Sequence, residues 1–171
     1  MSIDAKTADQ KHAQLIAAMI EFNAGYPDLT HHFLKVHNYA KTIGILEGLD
    51  DEALFILETA AIVHDIAIRY CLEEFGKADG PLQEKYGPDF VRRLLGKMDY
   101  EPAVIERVAY LVGHHHTYTN VDGPDYRILL EADFLVNSQE NHCSKEAIVT
   151  FMENVFETAA GKSFLKQMFQ L

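Results

Sequence analysis

The sequence predicts an all-α protein, a single-domain helical bundle of about seven or eight helices. Apolar residues recur at intervals of three and four along most of the chain, which is the spacing of one helix face. We find no convincing stretch of the apolar–polar alternation that is typical of strands. Five prolines and ten glycines in 171 residues leave room for long uninterrupted helices. The predicted helices cover, in order, residues 5–22, 30–47, 51–69, 82–97, 102 to about 116, 124–137, 144–160 and 162–169.

The boundaries of the first three helices follow from glycines and capping residues. Gly25 follows the first helix, and Gly48 closes the second, where a left-handed backbone ends a helix at little cost. Asp50 or Asp51 can cap the third helix. The apolar stripe of that helix continues as far as His64, so we extend the helix through it.

The later boundaries depend on proline, glycine and serine. Residues 70–81 are expected to form a loop because they hold two glycines and a proline. Gly87 and Pro88 leave open whether the fourth helix is continuous. Pro102 suits the start of the fifth helix. Ser144 caps the seventh helix, and Gly161 is expected to separate it from the last one.

The net charge excludes several classes of partner. With 26 acidic and 15 basic residues, the formal charge is −11 when histidine is neutral. A surface of this sign does not attract nucleic acid or an anionic membrane. A small phosphorylated substrate can still bind where a metal ion reverses the local field. The length suits one domain, spanning residues 1–171.

Cysteine content and the N-terminal sequence suggest the compartment. Two cysteines provide no disulfide framework, which fits a reducing environment. The first residues lack a cationic start followed by an unbroken apolar stretch, and no run approaches 18 apolar residues. We therefore expect a cytoplasmic protein without a membrane-spanning segment.

Histidines and acidic residues interrupt several otherwise apolar helix faces. His32 shares a face with Val36, and a His64-Asp65 pair ends the stripe of the third helix. A run of three histidines, 114–116, ends the fifth helix, and Asp133 lies in a mostly apolar segment. Inward imidazoles and carboxylates are costly unless they are paired or bind a metal. Helical proteins build metal sites by directing such groups from several helices to one centre.

Each of these features has an ordinary alternative when it is taken alone. A histidine on an apolar face also fits a hydrogen-bonded core residue. The His64-Asp65 pair also fits an acidic residue that orients its neighbour, and Glu131 with Asp133 also fits a surface charge pair. The order of the motifs along the chain favours the metal site.

That order resembles the HD-domain phosphohydrolase superfamily, whose pattern is a histidine, a His-Asp doublet, further histidines and a distant aspartate. The segments that carry the resemblance are HFLKVHNYA (32–40), AAIVHDIA (60–67), LVGHH (111–115) and EADFL (131–135). They lie within residues 30–137, with flanking helices at 1–25 and 144–171. The resemblance implies an HD-type helical fold in which His32, His64, Asp65 and Asp133 bind one divalent metal.

The resemblance also implies hydrolysis of a phosphate ester, with a nucleotide as the preferred substrate. Histidine and carboxylate ligands suit Mn, Fe, Co, Ni or Zn and accommodate Mg less naturally. Two departures from the family matter. Gln83 or Glu84 stands about where many two-metal members have a further histidine, so a second metal is an open question. Ile68, followed by Arg69, stands where some members have a catalytic acidic residue or lysine.

Supporting roles are assigned around this metal. Asp65, Arg69, His114 and His115 are the catalytic candidates. For a second metal or a phosphate, the candidates are Glu84, His114 and His115. Substrate contacts are expected from Lys35, Arg69, His116 and Tyr118.

Two other functions remain open alongside hydrolysis. One is a di-iron oxygenase of HD-like fold, and the other is a non-catalytic module that binds metal or nucleotide. A homodimer is also compatible with the amphipathic C-terminal helices. Phosphohydrolysis is the first hypothesis, and the missing intermediate histidine counts against the oxygenase.

Overall fold

The computed structural model describes residues 4–171, and the regular secondary structure in that range is helical. The all-α fold class is confirmed. The helices are α1 (Ala5–Phe22), α2 (Pro27–Leu46), α3 (Asp51–Val63), α4 (Ile68–Phe75), α5 (Gly80–Lys97), α6 (Pro102–Val112), α7 (Pro124–Glu140), α8 (Lys145–Val155) and α9 (Ala159–Phe169). Between residues 4 and 171, no helix combines the length and the apolar character needed to cross a bilayer.

Helices α2, α3 and α7 form the centre of the bundle. Helix α2 packs along both α3 and α7, α6 packs on α3, and α5 packs along α6. Buried apolar side chains from Leu15 in α1 to Leu165 in α9 contribute to one core. Because α2, α3 and α7 contact one another, polar side chains on their inner faces can meet inside the bundle.

Side-chain caps begin several helices where the sequence predicts them. The Asp50 carboxylate accepts a hydrogen bond from the backbone N–H of Ala53 at 2.8 Å, as an N-cap should. The Ser144 hydroxyl accepts one from Ala147 at 3.2 Å. Proline occupies the first turn of α2, which starts three residues earlier than predicted, at Pro27. The missing N–H of proline is harmless at that position.

The segment after α3 differs from the prediction. Helix α3 ends at Val63, and α4 then covers part of the stretch expected to be a loop. Between them the backbone makes tight i to i+3 hydrogen bonds, from Ile66 to Val63 at 3.0 Å and from Ile68 to Asp65 at 3.0 Å. Consecutive residues of a regular α-helix point about 100° apart. The tight turn instead lets His64 and Asp65 approach the same centre.

Helix α5 runs through Gly87 and Pro88 without a break. A Cβ atom at Gly87 would lie 2.6 Å from Cγ1 of Val112, so the absence of a side chain allows α5 to approach α6 closely. Pro88 packs against Gly113, where a Cβ atom would lie 3.0 Å from the proline Cγ. This close packing places α5 beside the histidine run that follows α6.

The start of the last helix was predicted at the wrong residue. Gly161 lies inside α9 and does not separate it from α8. Instead, Thr158 caps α9, and the buried carboxylate of Glu131 accepts hydrogen bonds from the N–H groups of Glu157 and Thr158 at 2.7 and 3.0 Å. The ordinary alternative for Glu131, a surface charge pair, is therefore wrong, since this residue is fully buried.

Candidate metal centre

The four predicted metal ligands converge inside the bundle. Nε2 of His32 lies 3.2 Å from Nε2 of His64 and 3.1 Å from Oδ1 of Asp133. Oδ2 of Asp65 lies 3.3 Å from Nε2 of each of these two histidines. Helix α2, the turn after α3 and helix α7 thus supply one cluster from residues 101 positions apart in the chain.

Backbone contacts determine which nitrogen of each ring faces the cluster. Nδ1 of His64 lies 2.8 Å from the carbonyl of Ala61, and Nδ1 of His115 lies 2.7 Å from the carbonyl of Val112. A carbonyl can only accept, so each Nδ1 carries the hydrogen. In the neutral rings Nε2 therefore presents a lone pair. The histidine tautomers suited to metal binding are built into the fold.

Glu140 does the same for His32, and the sequence analysis missed it. Its Oε2 accepts a hydrogen bond from Nδ1 of His32 at 2.8 Å, while its Oε1 contacts the ammonium of Lys35. Glu140 follows Asp133 by seven residues, which is two helical turns, so their shared face of α7 was a signal in the sequence. Lys35, expected to bind substrate, therefore contacts a residue that orients a ligand.

Asn137 also supports the cluster from α7. Its Nδ2 donates to Oδ1 of Asp133 at 2.8 Å, one turn after that residue. This hydrogen bond fixes the carboxylate that faces His32. Asn137 belongs to none of the motifs that carry the resemblance, so it was not predicted as a site residue.

The charges of the cluster shift the protonation of its members. Burial by itself disfavours the imidazolium, yet the carboxylates of Asp65 and Asp133 raise the pKa of His32 and raise that of His64 well above its usual value. Burial likewise disfavours the carboxylates, but the surrounding imidazoles hold the pKa of Asp65 well below its usual value and lower that of Asp133. In the ion-free protein, protons take the place of a cation.

The spacing and donor set fit a transition-metal ion. Neighbouring ligand atoms around an ion with bonds of about 2.1 Å lie about 3.0 Å apart in an octahedron and about 3.4 Å apart in a tetrahedron. The contacts among the four residues are 3.1 to 3.5 Å. Two imidazole nitrogens with two carboxylates suit Mn, Fe, Co, Ni or Zn.

Two of the three consecutive histidines join the cluster. Nε2 of His115 lies 3.5 Å from Oδ1 of Asp65, and one ligand atom each from Asp65, His115 and His116 lies within 4.8 Å of the others. Within residues 4–171, no hydrogen-bond partner reaches the buried Nε2 of either histidine. Burial and the neighbouring His115 lower the pKa of His116 to about 4. Asp65 thus has one oxygen on each of two adjacent groups.

His114 lies apart from these groups. Its Nδ1 faces the carbonyl of Tyr110 at 2.7 Å, and its ring packs on the ring of that tyrosine with centroids 4.2 Å apart. The expected place of His114 in the site is therefore taken by His116. His114 thus lies apart from His115 and His116, whose rings lie together with centroids 4.1 Å apart.

Glu84 and Tyr118 line the edge of the site in different ways. Oε1 of Glu84 accepts hydrogen bonds from the N–H of His116 at 3.0 Å and from the hydroxyl of Thr117 at 2.9 Å. It therefore fixes the turn that carries the histidines. Tyr118 is 43% exposed. Partial burial, then the charges of Asp133 and Glu84, raise the pKa of Tyr118.

Arg69 makes its contacts on another side of the molecule. Its Nε donates to Glu73 at 2.8 Å, and its Nη1 donates to the carbonyl of Phe22 at 2.9 Å. The tight turn after α3 accounts for this position, because it changes the direction of the chain between Asp65 and Arg69. The expectation that Arg69 binds phosphate next to the metal gains no support from these contacts.

Comparison with known proteins identifies a solved structure with a similar fold. No protein-family model matches the chain, and no curated protein is similar to it. A crystal structure of a predicted HD superfamily hydrolase from an uncultured Thermotogales bacterium is similar, with a TM-score of 0.65 and 22% sequence identity. The match covers 92% of this chain and 84% of that protein. This chain therefore has the fold of that HD superfamily protein.

Proposed function

We propose that this protein is a metal-dependent phosphohydrolase of the HD superfamily. Its substrate is a small phosphate ester, with a nucleotide preferred. The observation that carries the proposal is the convergence of imidazole Nε2 atoms and carboxylates within 3.1 to 3.5 Å at a buried centre. The shared fold with a predicted HD superfamily hydrolase supports the same conclusion.

The chemistry divides between the ion and the chain. A bound divalent ion supplies a Lewis acid for phosphoryl oxygens and lowers the pKa of a bound water to about 7. The chain supplies orientation: Glu140 holds the ring of His32, and the Ala61 carbonyl holds that of His64. Asn137 holds the carboxylate of Asp133. Rigid ligands keep the geometry constant while charge develops on the phosphate.

The preference for a nucleotide is supported by the rim of the site. Tyr118 follows His116 by two residues and is partly exposed, and its ring packs edge-on against Phe151 with centroids 5.1 Å apart. An aromatic ring held by a second ring offers a face on which a base can stack. We assign Tyr118 to base stacking, and His116 to the phosphate side because it belongs to the buried group that contains Asp65.

One observation favours a second candidate. Asp65 faces His32 and His64 with one oxygen and His115 with the other, so its carboxylate can bridge two ions. A dinuclear centre suits hydrolysis but also suits a di-iron oxygenase. Iron content together with oxygen uptake distinguishes the oxygenase from the hydrolase.

Elemental analysis combined with a phosphatase screen tests the proposal. Protein supplied with Mn, Ni, Co or Mg is assayed on a panel that includes nucleotides and simple phosphate esters. We expect His64→Ala and Asp65→Asn to lose turnover and the metal that this centre holds. His31→Ala is the matched control, because His31 is exposed beside His32 on the same helix.

Two outcomes would contradict the proposal. Wild-type metal content in both site variants would show that these residues do not bind the metal. Metal binding without hydrolysis of any ester would leave only the binding module or, with oxygen uptake, the oxygenase.

A further inference from the structure

A second cluster of ligand-type side chains lies away from the metal centre. His12 of α1, His37 of α2 and Glu58 of α3 each offer one ligand atom, and these atoms lie within 4.8 Å of one another. His12 is 3% exposed, and Glu58 is 4% exposed. None of the three was predicted as a site residue, because His12 and His37 are scattered in the sequence and Glu58 belongs to no motif.

The hydrogen bonds of His12 leave one nitrogen unpaired. Its Nε2 lies 3.1 Å from the hydroxyl of Thr59, and that hydroxyl donates to the carbonyl of Phe55 at 2.7 Å. The hydroxyl therefore accepts from His12, so Nε2 carries the hydrogen of the neutral ring. Nδ1 then presents a lone pair.

That lone pair faces a carboxylate. Nδ1 of His12 is buried, has no hydrogen-bond partner within residues 4–171, and lies 3.4 Å from Oε2 of Glu58. Two acceptors in contact repel each other, and a buried acceptor without a donor is costly. A cation between them would convert the repulsion into two bonds. The distance matches the edge of about 3.4 Å in a tetrahedral site with bonds near 2.1 Å.

His37 completes the ligand set. Its Nε2 lies 2.9 Å from the same oxygen of Glu58. A neutral imidazole can carry its hydrogen on either nitrogen. In the tautomer with the hydrogen on Nδ1, Nε2 of His37 has a lone pair that can bind a metal. Two imidazoles and one glutamate are a set of protein ligands that zinc binds, with a fourth position left to water.

Lys41 competes for this position in the ion-free protein. Its ammonium lies 3.2 Å from Oε2 of Glu58 and 3.2 Å from Oδ1 of Asp9. A cavity of about 260 Å³, lined in part by Asp9, Lys41 and Glu58, borders the cluster. The lysine side chain is 35% exposed, so it can remain on Asp9 when an ion takes its place at Glu58.

We propose that His12, His37 and Glu58 form a second, separate zinc site that joins α1 to α2 and α3. The site does not depend on the proposed hydrolase activity. Because it links three helices of the folded protein, bound zinc stabilises the native state.

Zinc binding to the full-length protein tests the proposal. Equilibration with buffered zinc, followed by elemental analysis, is expected to show one equivalent less in His37→Gln and in Glu58→Gln than in the wild type. His64→Ala, which disables the first centre, is expected to retain this equivalent. Zinc should raise the Tm of His64→Ala but not that of the His64→Ala, His37→Gln double variant. Circular dichroism confirms that each variant is folded.

Lys41→Met distinguishes a metal site from a network of ion pairs. Removing the competing ammonium is expected to tighten zinc binding at least several-fold. If the cluster is only an ion-pair network, Lys41→Met lowers stability and leaves zinc binding unchanged. Equal zinc content in the wild type, His37→Gln and Glu58→Gln would overturn the proposal, as would unchanged or weaker binding in Lys41→Met. Neither result depends on phosphatase activity, so the proposed function could fail while this site stands.

Discussion

Glu140 accepts a hydrogen bond from Nδ1 of His32 at 2.8 Å, while Nε2 of the same ring faces Asp133 in the candidate metal centre. A carboxylate behind a ligating histidine fixes its tautomer and raises its basicity. Lys35 contacts the other oxygen of Glu140, so a lysine, a glutamate and a histidine form a chain leading to the centre. Helix α7 thus supplies both Asp133 and the group that orients its neighbour.

Glu140→Gln should weaken metal binding. The neutral amide polarises the imidazole less and loses its charge pairing with Lys35, so we expect affinity to fall roughly tenfold or more. Metal titration of the ion-free protein measures the change. Gln139→Ala is the control, because Gln139 is exposed on the neighbouring position of α7. Equal affinity in Glu140→Gln and wild type would show that the contact has no effect on the ligand.

The stability of the ion-free protein should fall as pH rises above neutrality. The pKa values of His32 and His64 are raised in the fold, so their contribution is complete below the unfolded value of 6.5. It is lost as pH rises through the folded values. The pKa values of His12 and His116 are lowered to about 4, so these residues affect stability only below about pH 6.5, where the unfolded chain takes up the proton first.

Thermal melts in chelator between about pH 6.5 and about pH 9 measure this loss. Added metal should reverse the trend, because deprotonated ligands bind it more tightly. His64→Ala should show a shallower pH dependence than the wild type. A flat profile in ion-free wild-type protein would contradict the assigned proton sharing.

Gly87→Ala should destabilise the protein by about 1–3 kcal/mol, the usual cost of overpacking. The new Cβ would lie 2.6 Å from Cγ1 of Val112 and force α5 away from α6. Gly96→Ala in the same helix meets no atom within 4 Å, so it should stabilise by about 0.5–1 kcal/mol. Denaturant unfolding measures both. Partial recovery on adding Val112→Ala would identify the contact, and equal effects of the two alanines would exclude it.

Glu131→Ala should cost about 1–3 kcal/mol, because it removes a fully buried acceptor and leaves the N–H donors of Glu157 and Thr158 without their partner. Unfolding in urea measures the change. Glu153→Ala on the exposed face of α8 is the control and should stay within about 0.5 kcal/mol of wild type. A loss that is no larger for Glu131→Ala than for Glu153→Ala would rule out this role.

Tyr118→Leu should raise the KM for a nucleotide substrate several-fold and leave the KM for a simple alkyl phosphate nearly unchanged. Stacking of a base on an aromatic ring contributes about 1–3 kcal/mol, and leucine removes it. Steady-state kinetics on the two substrates provide the comparison. Similar changes for both substrates would assign Tyr118 to packing and not to base recognition.

The sequence predicts much of the fold because helical periodicity and caps are local properties. Helix α1 begins and ends where predicted, and Asp50 caps α3. The motifs also single out the four side chains that converge in the candidate metal centre. Local patterns do not indicate the direction that the chain takes after a helix ends. The turn after α3 sends Arg69 to Phe22 and Glu73, and the turn after α6 separates His114 from His115 and His116.

Residues that act across long chain separations were also missed. Glu140 contacts His32 across 108 positions, and His12 meets Glu58 and Thr59 only when α1 packs on α3. The spacing of Glu140 from Asp133 indicates a shared helix face, but it does not indicate that His32 is the partner. Such contacts depend on how the helices pack, which the pattern of one helix does not contain.

Helix α2 carries His32 and His37, which are separated by about 7.5 Å along the axis and by about 140° around it. Helix α2 therefore contributes to two polar clusters, one that includes Asp133 of α7 and one that includes Glu58 of α3. Because both clusters are attached to α2, a rotation of this helix that moved His32 would also move His37. Val36 is buried between the two histidines in the sequence of this helix, so a substitution there that shifts α2 should change the geometry of both clusters.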